Sequence, residues 1–326
     1  MIIDKLFLHV ATKGHVCVGL DTDYEYLPEH FKKAFSHISD ALFSFNKQII
    51  DATIDVSACY KVQIAYYEAF GMQGLEAYRK TLSYLRERKA LIIADVKRGD
   101  IAKTAEMYAK AHFSGDFEAD FMTLNPYMGM DTISPFLPFI QNKEKGVFVL
   151  IRTSNEGAKD IEYLKIDEEK EFQELEELKL KELKLKELKE LELKELKELR
   201  FQELKGGNKR VYNVVGKKIN SLGKDFLGRC GFSSIGGVMG CTFADEAREV
   251  RQQLDSTFFL IPGYGAQGGK AEDIKLYLKN GNGGVVNASR SILLAYKKVE
   301  NGAEQFAQHA RNEAIRMRDE IRRNEV

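Results

Sequence analysis

Residues 91–104 read Leu91-Ile-Ile-Ala-Asp-Val-Lys-Arg-Gly-Asp-Ile-Ala-Lys-Thr104, an apolar run that ends in charged side chains. The run is typical of a buried β-strand, and in a strand Asp95 and Lys97 are two residues apart, so their side chains leave the same face. Charges at the end of a buried strand are costly unless they pair or take part in chemistry. A surface turn with an ordinary ion pair would leave the same pattern. The rest of the chain has to distinguish these two interpretations.

Seven further strand candidates alternate with helical segments along the chain. They lie at residues 15–20, 57–64, 120–127, 146–154, 234–239, 257–262 and 283–287, and the helical segments include residues 40–52, 74–88, 102–112 and 303–324. Eight strands in strict alternation with helices predict an α/β fold of the (β/α)₈ TIM barrel type. An open, doubly wound sheet is the alternative, but it often has a Gly-rich turn after the first strand, which this sequence lacks.

Polar residues follow several of the predicted strands at their carboxyl ends. In a barrel these ends meet on one face, where active sites lie. The residues at or just after such ends are Asp21, Lys61, Asp95, Lys97, Ser154, Pro262 and Arg290. Their convergence predicts a functional site and favours a chemical role for the charges at 95 and 97.

Bulk composition excludes several classes of protein. The 326 residues carry 49 basic and 49 acidic side chains, so the formal net charge is zero. This balance gives no indication of binding to nucleic acid or to an anionic membrane. No apolar run is long enough to span a membrane, and the N-terminus does not resemble a signal peptide. The cysteines and histidines are scattered, without the spacing of a metal site. We expect a reduced, cytoplasmic protein without a bound metal.

Residues 170–205 consist almost entirely of Glu, Leu and Lys, in repeats of Lys-Glu-Leu. All three are strong helix formers, so the segment predicts a helical, low-complexity insertion within one domain that spans residues 1–326. Its leucines suggest a coiled coil by composition, but they do not keep a heptad spacing. A solvated insertion and a helix that binds a partner or itself therefore both remain open.

Two stretches near the C-terminus suggest an anion site. A Gly-rich loop, Pro262-Gly-Tyr-Gly-Ala-Gln-Gly-Gly269, follows the seventh strand, and Asn287-Ala-Ser-Arg290 follows the eighth. In barrels, the loops after these two strands commonly bind phosphate through backbone N–H groups. Arg290 would add a bidentate donor.

Taken together, these motifs resemble those of the orotidine 5′-phosphate decarboxylases, in particular the longer bacterial branch (type 2). The Asp95–Ile101 stretch is similar to the family's Asp-x-Lys-x-x-Asp-Ile motif. The other similar stretches are Val18–Asp21, Tyr60–Lys61, Arg152–Asn155, Pro262–Gly269 and Ser289–Arg290, in the family's order. The resemblance implies decarboxylation of orotidine 5′-monophosphate to UMP, the last step of de novo UMP synthesis, without cofactor or metal.

The resemblance also implies roles for individual residues. Lys97 matches the proton donor, and Lys61, Asp95 and Asp100 complete an alternating charge network with it. Asp100, Ile101 and Thr104 match residues that reach into the neighbouring subunit's site, which implies a homodimer with shared active sites. Asp21 and Lys61 match ribose contacts, and Ser154 matches the pyrimidine contact. The residues that match the phosphate-binding region are Pro262, Gln267, Ser289 and Arg290.

Two other functions remain open at this point. Magnesium-dependent sugar-phosphate decarboxylases and aldolases of the same barrel superfamily share the Asp-x-Lys-x-x-Asp motif. An inactive barrel could instead serve as a scaffold through the 170–205 helix.

Overall fold

The computed structural model describes residues 1–166, 210–241, 244–265 and 268–323. Within this part of the chain, eight parallel strands pair in sequence order, and the last pairs with the first. The strands are β1 (Val16–Gly19), β2 (Cys59–Gln63), β3 (Ile92–Arg98), β4 (Phe121–Leu124), β5 (Gly146–Arg152), β6 (Ser233–Met239), β7 (Thr257–Ile261) and β8 (Gly284–Ala288). The predicted TIM barrel is confirmed, and closure of the sheet excludes the open alternative.

Helices connect the strands, and the four predicted helical segments are present with ends shifted by at most three residues. The helices are α1 (Ile2–Lys13), α2 (Glu29–Lys32), α3 (Ile38–Thr53), α4 (Ala65–Glu68), α5 (Gly71–Glu87), α6 (Ala102–Phe113), α7 (Leu137–Lys143), α8 (Val211–Gly223), α9 (Ala244–Gln253), α10 (Ala271–Ile274), α11 (Arg290–Leu293) and α12 (Phe306–Arg323).

Aromatic side chains fill the core near the amino ends of the strands. The rings of Phe121 and Phe148 lie 5.3 Å apart, and those of Phe232 and Phe258 lie 5.6 Å apart. Gly236 on β6 makes room for this packing, because a Cβ there would lie 2.7 Å from the Phe148 ring. Such close packing leaves the carboxyl ends of the strands as the face available for a site.

Helix α1, which the sequence did not lead us to expect, packs against this core. Its side chains of Ile2, Ile3, Leu6 and Val10 are at most 2% exposed and belong to the same cluster as Phe121 and Phe258. Burying an aliphatic side chain of this size contributes roughly 1.5–3 kcal/mol. Because the helix precedes β1, its role is to cover the core rather than to connect two strands.

By internal contacts the chain divides into two compact units, residues 1–154 with 216–326, and residues 155–215. In the smaller unit, the Val211 amide donates to the Leu164 carbonyl at 3.0 Å, and the Arg210 guanidinium lies 4.4 Å from the centroid of the Tyr163 ring. The predicted Glu/Leu/Lys-rich helix at 170–205 lies outside the described residues. Among the residues that are described, no helix is long and apolar enough to cross a membrane.

Candidate functional site

Three strands bring two lysines and two carboxylates together at their carboxyl ends. Lys61 on β2 places its Nζ 2.9 Å from Asp21 Oδ1, in the segment after β1, and 2.9 Å from Asp95 Oδ2 on β3. Lys97 Nζ lies 2.7 Å from the other oxygen, Asp95 Oδ1. The structure thus brings together four residues that the sequence places at or just after the ends of β1, β2 and β3. Each oxygen of Asp95 therefore faces a different ammonium group.

Burial makes this cluster electrostatically strong. The side chains of Lys61 and Asp95 are 6% and 8% exposed, whereas that of Lys97 is 45% exposed. Burial alone would raise the pKa of Asp95, but Lys61 and Lys97 outweigh it and hold that pKa well below its ordinary range. Burial likewise would lower the pKa of Lys61, but Asp21 and Asp95 outweigh it and raise that pKa above its ordinary value. The buried pair stays ionised, while Lys97 presents its ammonium group to the open face.

The backbone at Lys97 departs from a regular strand. Its φ angle is +43°, in the left-handed region, and the pairing of β3 with β4 shifts register between Ala94 and Arg98. The side chains of Asp95 and Lys97 lie together as expected, but on a bulged backbone rather than on a regular strand. Positive φ in a residue other than glycine is uncommon and persists where the surroundings hold it in place.

Thr123 on β4, which was not among the predicted site residues, holds this bulge. Its Oγ1 donates to Asp95 Oδ1 at 2.9 Å and accepts from the amides of Val96 at 3.0 Å and Lys97 at 2.9 Å. The hydroxyl is buried and fixes both the carboxylate and the backbone that carries the lysine. Its place at the carboxyl end of a barrel strand is the one sequence signal that could have identified it.

Asp100 does not join the cluster within the chain. Its Oδ1 accepts from the Ile101 amide at 2.8 Å, and it forms no ion pair with any residue that the structure describes. Ile101 and Thr104 are both exposed, on the loop and first turn of α6. Of the four-membered network predicted from the sequence, the structure brings together Lys61, Asp95 and Lys97, whereas the partly exposed Asp100 contacts the Ile101 amide instead.

Ser154 lies just beyond β5, close to the end of β6. The Gly240 amide donates to the Arg152 carbonyl at 2.9 Å, and a Cβ at Gly240 would lie 2.9 Å from Ser154 Cα. Arg152 itself is 1% exposed, with its guanidinium 3.5 Å from the carboxylate of Glu246 on α9. The absence of a side chain at 240 therefore lets the segment of Ser154 approach β6.

The Gly-rich loop and the turn that begins α11 follow the carboxyl ends of β7 and β8. Gly263, Gly265 and Gly268 have positive φ angles, and the Gly269 amide donates to the Gly263 carbonyl at 3.1 Å, which closes the loop on itself. Pro262 begins this loop and Arg290, which is exposed, begins α11. The buried Ser289 hydroxyl has no hydrogen-bond partner among the described residues. Gln267, predicted to contact phosphate, lies outside them.

The donor groups of the site do not resemble a metal centre. Among the residues that the structure describes, no group of three or more His, Cys, Asp or Glu side chains is arranged to hold a metal ion. In the cluster itself, an ammonium group occupies the position next to each oxygen of Asp95. The arrangement can bind an anion, stabilise negative charge and deliver a proton from Lys97.

Comparison with known sequences relates the whole chain to one family. A sequence profile described as "Orotidine 5'-phosphate decarboxylase / HUMPS family" matches residues 14–305. A protein of Clostridium perfringens (strain 13 / Type A) named orotidine 5′-phosphate decarboxylase is 60% identical over 322 residues, which cover 99% of this chain and 98% of that protein. One of Clostridium acetobutylicum with the same name is 57% identical over 323 residues, covering 99% of each chain.

Solved structures share the fold. Leishmania donovani OMP decarboxylase superposes with a TM-score of 0.68 at 24% identity, covering 99% of this chain and 98% of that one. Leishmania donovani UMP synthase gives a TM-score of 0.67 at 25% identity, and the match covers 97% of this chain and 56% of that chain. The present chain therefore spans little more than half the length of that synthase.

Proposed function

This chain belongs to the orotidine 5′-phosphate decarboxylase / HUMPS family, and from that premise we propose that it decarboxylates orotidine 5′-monophosphate with Lys97 as the proton donor. The reaction gives UMP and CO₂, is a step of pyrimidine biosynthesis, and makes the chain a carboxy-lyase. The observation that carries the assignment of residues is the Lys61–Asp95–Lys97 cluster, in which a single carboxylate contacts two ammonium groups. The sugar-phosphate alternative is not favoured, because the curated relatives at 54–60% identity are named orotidine 5′-phosphate decarboxylases.

The chemistry requires strong stabilisation of a carbanion. The bond from C6 of the pyrimidine to its carboxylate breaks, the electron pair stays on C6, CO₂ leaves, and C6 takes a proton from Lys97 Nζ. No ring carbonyl delocalises that pair well, so catalysis must contribute on the order of 20 kcal/mol. An ammonium group already fixed by Asp95 can stabilise the developing charge without reorganising during the step. Lys97 regains its proton from solvent afterwards.

The remaining residues divide between binding and orientation. Asp21 and Lys61 would contact the ribose, and Ser154 the pyrimidine. Pro262, Gln267, Ser289 and Arg290 would bind the phosphate, a role that the partnerless Ser289 hydroxyl supports. Because the phosphate is remote from C6, its binding energy contributes by holding the substrate in the reactive position.

We also propose that the enzyme acts as a homodimer in which Asp100 completes the partner's site. Asp100 forms no ion pair with the described residues of its own chain. Large apolar side chains are exposed on the segments that follow β3 and β4, namely Ile101, Met107, Tyr127 and Met128, which are 53%, 43%, 80% and 51% exposed. Exposed apolar side chains of this size support an interface at these segments. Within the partner's site, Asp100 would lie beside the substrate carboxylate and favour its loss.

Residues 170–205 are proposed to be a helical insertion within a single decarboxylase domain of a cytoplasmic enzyme that uses no cofactor. The Clostridium perfringens relative is matched over 322 of the 326 residues, so it carries a segment of similar length there. If the segment is an insertion that the barrel does not need, deletion of residues 176–204 leaves the barrel folded and active. A change from a higher oligomer to a dimer on deletion would instead assign a coiled-coil contact to the segment.

The decisive experiment follows the ultraviolet absorbance of orotidine 5′-monophosphate during incubation with the protein in EDTA. We expect turnover by the native chain and none by Lys97→Ala. The matched control is Lys103→Ala, which removes an exposed lysine of α6 that pairs with Glu106. Turnover by Lys97→Ala equal to that of the control, or a requirement for magnesium, would overturn the proposal.

A mixing experiment tests the shared site. Lys97→Ala and Asp100→Ala are each expected to be inactive, but exchange of subunits forms heterodimers with one site that carries neither substitution. An equal mixture would recover about a quarter of the native sites if the dimer is isologous. A mixture as inactive as its components, although exchange of tagged subunits is observed, would contradict a shared site.

A further inference from the structure

A cavity lies at the other end of the barrel from Lys97. It has a volume of about 590 Å³ and is lined by the last residues of α9, by Asp255 before β7, and by Lys275, Leu276 and residues 278–281 before β8. These segments lead into the amino ends of β7 and β8, whereas the site described above lies at the carboxyl ends of the strands. The volume is within the range of small-molecule sites, about 300–1,000 Å³.

Positive charge dominates this cavity. Its charged lining residues are Arg248, Arg251, Lys275, Lys279 and Asp255. The one carboxylate forms no ion pair with any of the four cations in the described structure, and Lys279 Nζ instead donates to the Asp255 backbone carbonyl at 3.2 Å. In a chain with equal numbers of acidic and basic residues, four cations around one concave surface are a local excess.

Arg251 sets this cavity apart from an ordinary patch of surface lysines. It is only 6% exposed, its Nη2 donates to the Thr257 carbonyl at 2.8 Å and its Nη1 to the Tyr277 carbonyl at 3.4 Å. The guanidinium lies 4.1 Å from the centroid of the Phe259 ring. Its buried Nε has no hydrogen-bond partner among the described residues. Burial lowers the pKa of Arg251 to about 9, with Asp255 offsetting only part of the effect. Carbonyl oxygens and aromatic rings hold the guanidinium in place, but no carboxylate among the described residues neutralises its charge, so the positive potential of the cavity wall persists.

We propose that this cavity binds a small polyphosphate, a ligand that carries two or three linked phosphate groups. The planar guanidinium of arginine matches phosphate oxygens in a bidentate geometry, and lysines add mobile point charges. Four cations against one carboxylate leave three positive charges, which a diphosphate or triphosphate neutralises and a single phosphate does not. The ligand class therefore differs from the monophosphate nucleotide of the catalytic site. Inorganic and nucleoside polyphosphates share this chemistry, and Leu276 and Leu278 give the cavity an apolar wall for a nucleoside.

Calorimetric titration of the full chain with inorganic tripolyphosphate tests the proposal. Saturating UMP is present so that the catalytic phosphate region is occupied. We expect one saturable site, and a double variant Lys275→Gln/Lys279→Gln should weaken binding about tenfold, since each exposed charge contact contributes roughly threefold in affinity. The matched control is Lys217→Gln/Lys218→Gln, which removes two exposed lysines of α8 that do not line the cavity.

The comparison of the two double variants does not depend on the decarboxylase assignment, because both keep the same catalytic residues. Equal affinity in the two variants, or no saturable binding by the native chain, would overturn the proposal. A second titration with ATP distinguishes the ligand's source. If ATP binds more tightly than tripolyphosphate, and this binding is again lost in the Lys275/Lys279 variant, the cavity is assigned to a nucleoside polyphosphate. If ATP and tripolyphosphate bind with equal affinity, the cavity recognises the phosphate chain alone.

Discussion

Thr123 Oγ1 donates a 2.9 Å hydrogen bond to Asp95 Oδ1, and the same oxygen accepts from the Lys97 amide. One hydroxyl on β4 thus fixes the carboxylate that orients the lysine and the bulged backbone that carries it. Thr123 acts on the reaction only through these two residues, so it is a positioning residue.

Replacing Thr123 with Val should lower kcat, because the carboxylate and two amides lose their shared partner. A lost hydrogen bond to a charged group contributes about 1.5–3 kcal/mol, or roughly ten- to a hundredfold in rate. Steady-state kinetics and thermal unfolding measure both effects. Thr123→Ser, which keeps the hydroxyl, should restore most of kcat. Thr53→Val, which removes a buried hydroxyl on α3 bonded to the Ile49 carbonyl, should change stability without this loss of kcat.

The stability contribution of Asp95 should depend on pH in one direction. Its pKa is depressed by Lys61 and Lys97 against the effect of burial, so the contribution is complete above the ordinary carboxyl pKa of about 4 and is lost as the pH falls through the lower folded-state value. The raised pKa of Lys61 keeps its own contribution complete below about pH 10.

Urea unfolding of the native chain and of Asp95→Asn should therefore differ by a constant amount from about pH 5 to 8, and the difference should shrink at more acidic pH. Breaking a buried pair costs about 3–5 kcal/mol, and we expect the lower end because Lys97 is 45% exposed. Asp40→Asn, at a partly exposed pair with Lys80, should cost at most about 1 kcal/mol. A difference that grows as the pH falls would contradict this assignment.

The Gly-rich loop is tied to the C-terminal helix through Tyr264, whose hydroxyl donates to Glu320 Oε2 at 2.6 Å. Tyr264→Phe should loosen the loop and raise KM for orotidine 5′-monophosphate about tenfold, with a smaller change in kcat, because the loop binds the remote phosphate. Tyr84→Phe removes a similar hydroxyl-to-carboxylate bond, to Asp51 at 2.5 Å, between α3 and α5. That control should leave KM unchanged. Equal changes in KM for the two variants would mean that the Tyr264 hydrogen bond has no specific role in substrate binding.

Helix α1 offers a matched pair for measuring how much it stabilises the barrel. Leu6 is fully buried and Leu8 is 59% exposed, two residues apart on the same helix. Leu6→Ala should lower the free energy of unfolding by about 2–5 kcal/mol, whereas Leu8→Ala should change it by less than about 0.5 kcal/mol. Chemical denaturation of both variants measures the difference. Similar values for the two would mean that α1 does not pack as part of the core.

Strand order and the meeting of Asp21, Lys61, Asp95 and Lys97 could be predicted from the sequence, because apolar runs of strand length alternate with helical segments and the carboxyl ends of barrel strands converge. The left-handed backbone at Lys97 could not, since it depends on Thr123 from another strand. Thr123 itself looks like an ordinary strand residue. The role of α1 could not be predicted from its apolar spacing, because that role depends on the core surface that the helix covers. That Asp100 contacts the Ile101 amide rather than the lysine cluster could not be read from the motif either.

The packing of α1 also determines when during translation this helix can complete its core contacts. The helix is translated before any strand, yet its partners in the core include Phe232, Phe258 and Val285, more than two hundred residues further along the chain. Until those residues emerge, Ile2, Ile3, Leu6 and Val10 lack their final contacts and present an apolar face. A chain truncated before β6 would therefore leave the apolar face of α1 without Phe232, Phe258 and Val285.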